Sequence, residues 1–192
     1  MNLRIKNKWV IGLTGNMLSG KSTALADFQA QGAATFCADE IVRQLYTKPI
    51  VRRRLKSWFG TIERGEIARQ VFANPSKRLQ LEHFIHPLVL KQLIQQIKKS
   101  PQRLIVVEIP LLFEAGWEKK TDLNVLVMAD PKTLDVRLKK RHLTRAQYEA
   151  RLKAQWPEHK KASCADVIFF HKTKTDLKWK VQRFCKTFDL LK

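Results

Sequence analysis

Apolar and polar positions follow two different periods along this chain, and the switches between them mark out its strands and helices. Trp9-Val10-Ile11-Gly12-Leu13-Thr14 is a continuous apolar run, the pattern of a strand buried on both faces. Thr23 to Phe28 has helix-forming composition, and Gly32 supplies a stop. A short apolar run from Ala33 to Ala38 predicts a second strand, ending in Asp39-Glu40 and a helical pattern from Ile41 to Tyr46. From about residue 40 to 100 the periodicity is helical throughout. Pro49 opens a helix to Phe59, Ile67 to Phe72 makes a short one, and Asn74-Pro75 pairs a cap with a first-turn proline. The long amphipathic helix that follows is expected to be interrupted or kinked at Pro87, which has no N–H to give. Strand patterns return at Arg103–Ile109, Asn124–Ala129 and Asp166–Phe170. Asp130-Pro131 opens a helix over 132–141, and Thr144-Arg145-Ala146-Gln147 is a capping box for one running to about Gln155. Leu177, Val181, Phe184, Cys185 and Phe188 place an amphipathic helix at Lys174–Leu190.

Strands separated by helices predict an α/β fold: a P-loop NTPase-type three-layer α/β/α arrangement with a parallel sheet. We expect one domain over 1–192, with its core at 8–39, 102–136 and 164–192, a helical insertion at about 40–100 and a small helical lid at about 137–161. Between the first strand and the first helix lies G-x-x-x-x-G-K-S, from Gly15 to Ser22. Strand, glycine-bounded loop and helix in that order are the setting of a phosphate-binding loop. Backbone N–H groups and the helix dipole would face the phosphates. The expected nucleotide-binding residues are Gly15, Asn16, Met17, Leu18, Ser19, Gly20, Lys21, Ser22 and Thr23, with Lys21 on the β- and γ-phosphates and the Ser22 hydroxyl on Mg²⁺.

Two carboxylates belong to the same edge, where ligands collect in open α/β sheets. Asp39 closes the second strand, as a helix N-cap, as a site carboxylate, or as both. Glu108 closes the third apolar run and resembles the carboxylate that orders Mg²⁺ or its water downstream of a P-loop; otherwise it is an exposed strand end. Basic residues crowd the stretch from Arg137 to Lys161, either as a lid carrying guanidinium groups to a phosphoryl group or as a solvated helix pair. Arg137 and Arg141 share one helix face.

The formal net charge is +20, which favours polyanionic ligands. No nucleic-acid module or regular series of stacking aromatics accompanies it, so specific nucleic-acid binding is not expected. Cys37, Cys164 and Cys185 are scattered, as in a reducing cytosol, and His83 with His86 lacks the company a metal site needs. Neither a signal peptide nor an 18-residue apolar run is present, so a cytoplasmic protein without a membrane partner is expected.

Beyond the P-loop, the chain resembles dephospho-coenzyme A kinase over nearly its whole length. The matching residues are Gly12-Leu13-Thr14-Gly15 into Ser19-Gly20-Lys21-Ser22-Thr23, Ala38-Asp39 with Ile41 and Arg43, Val71-Phe72, and His86-Pro87. Later come Pro110-Leu111-Leu112-Phe113-Glu114, Arg137-Leu138 with Arg141, Arg151 with Gln155, and Ala165-Asp166-Val167-Ile168. The resemblance implies transfer of phosphate from ATP to the ribose 3′-hydroxyl of dephospho-CoA, the last step of coenzyme A synthesis. It implies Lys21, Asp39 and Arg141 as catalytic residues, with Asp39 as the base, and ATP contacts from the P-loop, Arg137 and Arg141. Substrate contacts fall to Asp39, His86, Pro110, Leu111, Leu112 and Glu114, and Mg²⁺ to Ser22 and Glu108. The helical insertion would bind CoA, and a monomer is favoured.

The chain departs from the family pattern at Asn16 and Leu18, where glycine is usual, and at Cys37, His142 and His171. Leucine takes left-handed angles poorly, so the loop is expected to be right-handed at Leu18 or strained. The alternatives are a P-loop kinase for a nucleoside, nucleotide or other small hydroxyl acceptor, and an NTP-gated basic nucleic-acid binder.

Overall fold

The computed structural model describes residues 1–153 and 155–189. In chain order the first half holds β1 (Trp9–Thr14), α1 (Lys21–Ala30), β2 (Ala34–Cys37), α2 (Ala38–Leu45), α3 (Pro49–Phe59), α4 (Arg64–Ala73) and α5 (Pro75–Lys99). The second half holds β3 (Leu104–Glu108), β4 (Leu123–Ala129), α6 (Leu134–Lys140), α7 (Arg145–Leu152), α8 (Glu158–Ala162), β5 (Val167–His171) and α9 (Lys174–Asp189). Contacts group these into two compact units. One is Ala38–Lys99; the other joins Asn2–Cys37 to the chain from Ser100 onward.

The second of these units is built on a parallel sheet in the order β2-β3-β1-β4-β5. β1 lies at its centre because both of its faces are apolar and both need covering. Ile11 and Leu13 join Val106, Val125 and Val127 on one face, against Ala24 and Phe28 of α1 and Leu177, Val181 and Cys185 of α9. Phe28, Phe169 and Phe184 meet there with ring centroids 5.6–6.2 Å apart. The segment after β3 contributes buried Leu112, Phe113 and Trp117, with the Leu112 methyls lying against Gly12.

In the helical unit, Ala38, Ile41 and Leu45 of α2 are buried at helical spacing, as are Val51, Leu55 and Phe59 of α3. α5 runs through Pro87 without interruption. The buried stripe Ile85, Val89, Leu93 and Ile97 outweighs the hydrogen bond that Pro87 forfeits, a loss of roughly 3 kcal/mol. α2 begins directly after β2, so Asp39 sits inside its first turn and is not the cap. The helix expected to reach Gln155 ends at Leu152, and Leu190 lies outside the described residues. Among the described residues no helix is long and apolar enough to cross a membrane.

Candidate active site

β1 delivers the chain to the P-loop at the carboxyl edge of the sheet, and α1 starts at Lys21. Gly15 is required there: a Cβ would stand 2.4 Å from the Val127 carbonyl and 2.5 Å from Ser19 Oγ. Lys21 Nζ donates to the carbonyls of Gly15 at 2.9 Å and Asn16 at 3.0 Å, curling back over the loop it follows. Ser19 is buried, and its Oγ has no hydrogen-bond partner among the described residues. A buried donor without an acceptor suits a loop made for phosphate oxygens.

Leu18 has φ 65°, in the left-handed region. Of the two expected conformations, the chain adopts the strained one, at a cost of about 1–2 kcal/mol. Its carbonyl accepts a hydrogen bond from Arg137 Nη1 at 2.8 Å, while Arg137 Nε donates to Thr133 Oγ1 at 2.9 Å. Burial lowers the pKa of this guanidinium below its ordinary value. It remains a cation at neutral pH.

A cavity of about 460 Å³ opens beside the loop, bounded by Lys21, Ser22, Thr23, Arg137, Arg141 and His171. Arg141 closes α6 and is exposed at the end of its helix. Asn16, Met17, Leu18 and Ser19 line a smaller space of about 90 Å³ with Arg137. The structure therefore gathers Lys21, Ser22, Arg137 and Arg141 around one volume. Glu108 is buried at the end of β3, in register with Leu13 of β1 and Cys37 of β2. It is not an exposed strand end.

The Pro110–Glu114 block is divided in its roles. The Pro110 carbonyl accepts from Thr14 Oγ1 at 3.2 Å, which ties the block to the end of β1, and Leu111 is exposed. Leu112 is wholly buried in the core, a correction to its expected place among the substrate contacts. Glu114 faces the segment before β5: its Oε1 accepts from the Trp156 N–H at 2.8 Å and lies 3.0 Å from Lys161 Nζ. Lys161 has no exposed side-chain surface, and Nζ meets the carboxylate as an ion contact without an aligned hydrogen bond. Glu114 thus ties the segment after β3 to Trp156 and to α8.

Removing one partner of a buried pair leaves the other charge uncompensated, at a cost of about 3–5 kcal/mol. Lys161→Met should therefore melt roughly 10 °C below the wild type, at ~2–4 °C per kcal/mol for a chain of this size. The double variant with Glu114→Leu should recover most of that loss. A double variant that loses the sum of the two single losses would show that the pair does not couple.

A phosphate loop, arginines beside it and a carboxylate at a strand end are common to many kinases, and comparison with known proteins narrows them. The family model for dephospho-CoA kinase matches residues 9–176. The chain belongs to the dephospho-CoA kinase family. A dephospho-CoA kinase of Fusobacterium nucleatum is 31% identical over 188 residues, covering 93% of this chain and 97% of that one. One from Bartonella quintana is 36% identical over 173 residues, covering 83% and 87%. A solved structure from Thermus thermophilus matches with a TM-score of 0.88 at 30% identity, covering 95% of this chain and 98% of the other. A shikimate kinase from Bacteroides thetaiotaomicron shares the fold at a TM-score of 0.54 and 14% identity, covering 94% and 98%.

In this family member, Asp39 and His86 belong to the helical unit. Asp39 is exposed, and burial lowers the pKa of the half-buried His86 imidazole, with Glu82 opposing that shift and His83 adding to it. Two residues near the kinase site escaped the sequence reading. Lys161 stood in a charge run that gave no sign of burying one lysine. His171 stood out only as a departure from the family pattern. It is 1% exposed and touches the P-loop.

Proposed function

We propose that the chain transfers the γ-phosphoryl group of ATP to the ribose 3′-hydroxyl of dephospho-CoA, giving coenzyme A and ADP. The observation that carries this reading is the single cavity on which Lys21, Ser22, Arg137 and Arg141 converge, in a chain of this family. Transfer of this kind needs alignment and charge stabilisation rather than covalent chemistry. Lys21, now bonded to loop carbonyls, exchanges those partners for β- and γ-phosphate oxygens. Asp39 orients the hydroxyl and takes its proton. Arg137 and Arg141 offset charge from the lid side.

Ser22 lines the cavity and Glu108 ends β3, and both carry the oxygen donors that a hard cation takes. Ser22, with Glu108 behind it, would hold Mg²⁺, which when bound would supply positive charge to offset that of the phosphates. It commonly takes only one or two protein ligands, the rest being phosphate and water. The helical unit is read as the CoA-binding part, with His86 in contact with substrate, and the cytoplasm as the place of work. Pro110, Leu111 and the anchored Glu114 border the acceptor in this reading. The +20 charge matches two polyanionic substrates, and any DNA binding is incidental.

The test is coupled ADP release with dephospho-CoA, adenosine and nucleoside monophosphates as competing acceptors. Turnover confined to dephospho-CoA is expected. Faster turnover with a nucleoside or nucleotide would replace this reading by the broader small-acceptor kinase. Arg141→Ala should lower kcat about 10²-fold with a small change in ATP affinity, because an electrostatic contact from a closing lid is strongest in the transition state. A rise in the ATP KM with kcat intact would make Arg141 a ground-state binder.

A further inference from the structure

We propose that His171 is a positioning residue that sets the conformation of the P-loop, in a chain that carries leucine at position 18. The proposal rests on the reading that ATP binds this loop. His171 ends β5, and its ring nitrogens face two carbonyl oxygens: Nε2 lies 2.8 Å from Ser19 and Nδ1 3.2 Å from Thr173. Carbonyls only accept, and a neutral imidazole has one N–H to give. The shorter contact places that proton on Nε2, which donates to Ser19.

This bond staples the loop to a strand 152 residues away in sequence. The peptide joining Ser19 to Gly20 is planar and trans, so its C=O and N–H point in opposite directions. Holding the Ser19 carbonyl against His171 therefore aims the Gly20 N–H away from the ring. The ring also fills the space beside Gly20, whose φ is 99° and where a Cβ would come within 2.9 Å of Nε2. One residue earlier, Arg137 holds the Leu18 carbonyl. Two successive carbonyls are thus gripped by side chains from two different elements. A strained loop keeps an unfavourable conformation only where its surroundings over-determine it. These two contacts supply that constraint beside the left-handed Leu18.

The two ring nitrogens can be separated by substitution. A glutamine amide reaches the position of Nε2, and an asparagine amide reaches that of Nδ1. His171→Gln keeps the bond to Ser19, His171→Asn puts an amide only at the Nδ1 position beside Thr173 and loses the bond to Ser19, and His171→Leu loses it with the whole ring. The measurements are calorimetric titration with ATP, the KM of each substrate, and thermal melting. His171→Leu and His171→Asn should bind ATP about tenfold more weakly, the size of one buried hydrogen bond. His171→Gln should stay within about threefold of wild type, and the dephospho-CoA KM should not move in any variant. Wild-type ATP affinity in His171→Asn alongside loss in His171→Gln would overturn the proposal, because His171 would then serve only its own turn. Should His171→Leu not fold, the Gln and Asn variants decide alone. A wild-type chain that binds no ATP fails at the nucleotide reading, before any variant is compared.

Discussion

Asp39→Asn is expected to turn over dephospho-CoA about 10²–10⁴-fold more slowly than wild type while melting and binding ATP almost unchanged. In barrier terms that is roughly 3–5 kcal/mol, at 1.36 kcal/mol per tenfold. Asparagine has the shape of aspartate but neither its basicity nor its charge, so the acceptor hydroxyl loses both a proton acceptor and a charge-assisted hydrogen bond. Asp39 lies in the first turn of α2, where a carboxylate also favours the positive end of the helix. Its loss there is worth only about 0.3–1 kcal/mol, too little to account for a rate effect of that size. Steady-state kinetics with dephospho-CoA, beside ATP titration and melting, separate the two roles. A variant that folds, binds ATP and turns over within about threefold of wild type would leave Asp39 as a helix residue alone.

Lys21→Ala is expected to lower kcat by at least about 10²–10³-fold, the loss typical of one preorganised charge at the reacting group. It should also weaken ATP binding, since the ammonium faces charge in both the ground and transition states. The lysine carries a second duty that predicts a further result. Its Nζ ties the carbonyls of Gly15 and Asn16 together. Lys21→Arg keeps the charge but brings a planar fork where a compact ammonium fits, so it should rescue little of kcat. Single-turnover rates at saturating ATP measure this directly. Recovery by arginine to within tenfold would reduce the lysine to a general positive charge.

The P-loop could be read from sequence because its pattern is local. An apolar run, two glycines at fixed spacing and a helix-forming segment lie within twenty residues, and each constrains the next. The parallel strands were readable for a related reason: runs such as Leu104–Glu108 have no polar face to mislead the period. What failed depended on partners distant in sequence. Leu112 sits in a family motif, but Gly12 opposite it makes it core. Pro87 has the chemistry of a helix breaker, and only burial on both sides of it keeps α5 whole. Lys161 resembles its solvated neighbours until Glu114 is placed beside it. Leu18 was identified as a residue at odds with a left-handed turn, and the contacts that hold it there come from Arg137 and the strand ending in His171.

The strand order of the sheet also governs when the kinase can acquire its nucleotide site during synthesis. β1 leaves the ribosome early, yet the strands that flank it begin at Leu104 and Leu123. At ~5–20 residues per second, the first strand waits on the order of 5–20 seconds for its first neighbour. In that interval the helices from Ala38 to Lys99 can close a core of their own, since α2 and α4 both pack on α5. The P-loop's contact with the last strand comes later still. The contacts that hold Leu18 and Ser19 in place are therefore made only after Arg137 and His171 have been synthesised.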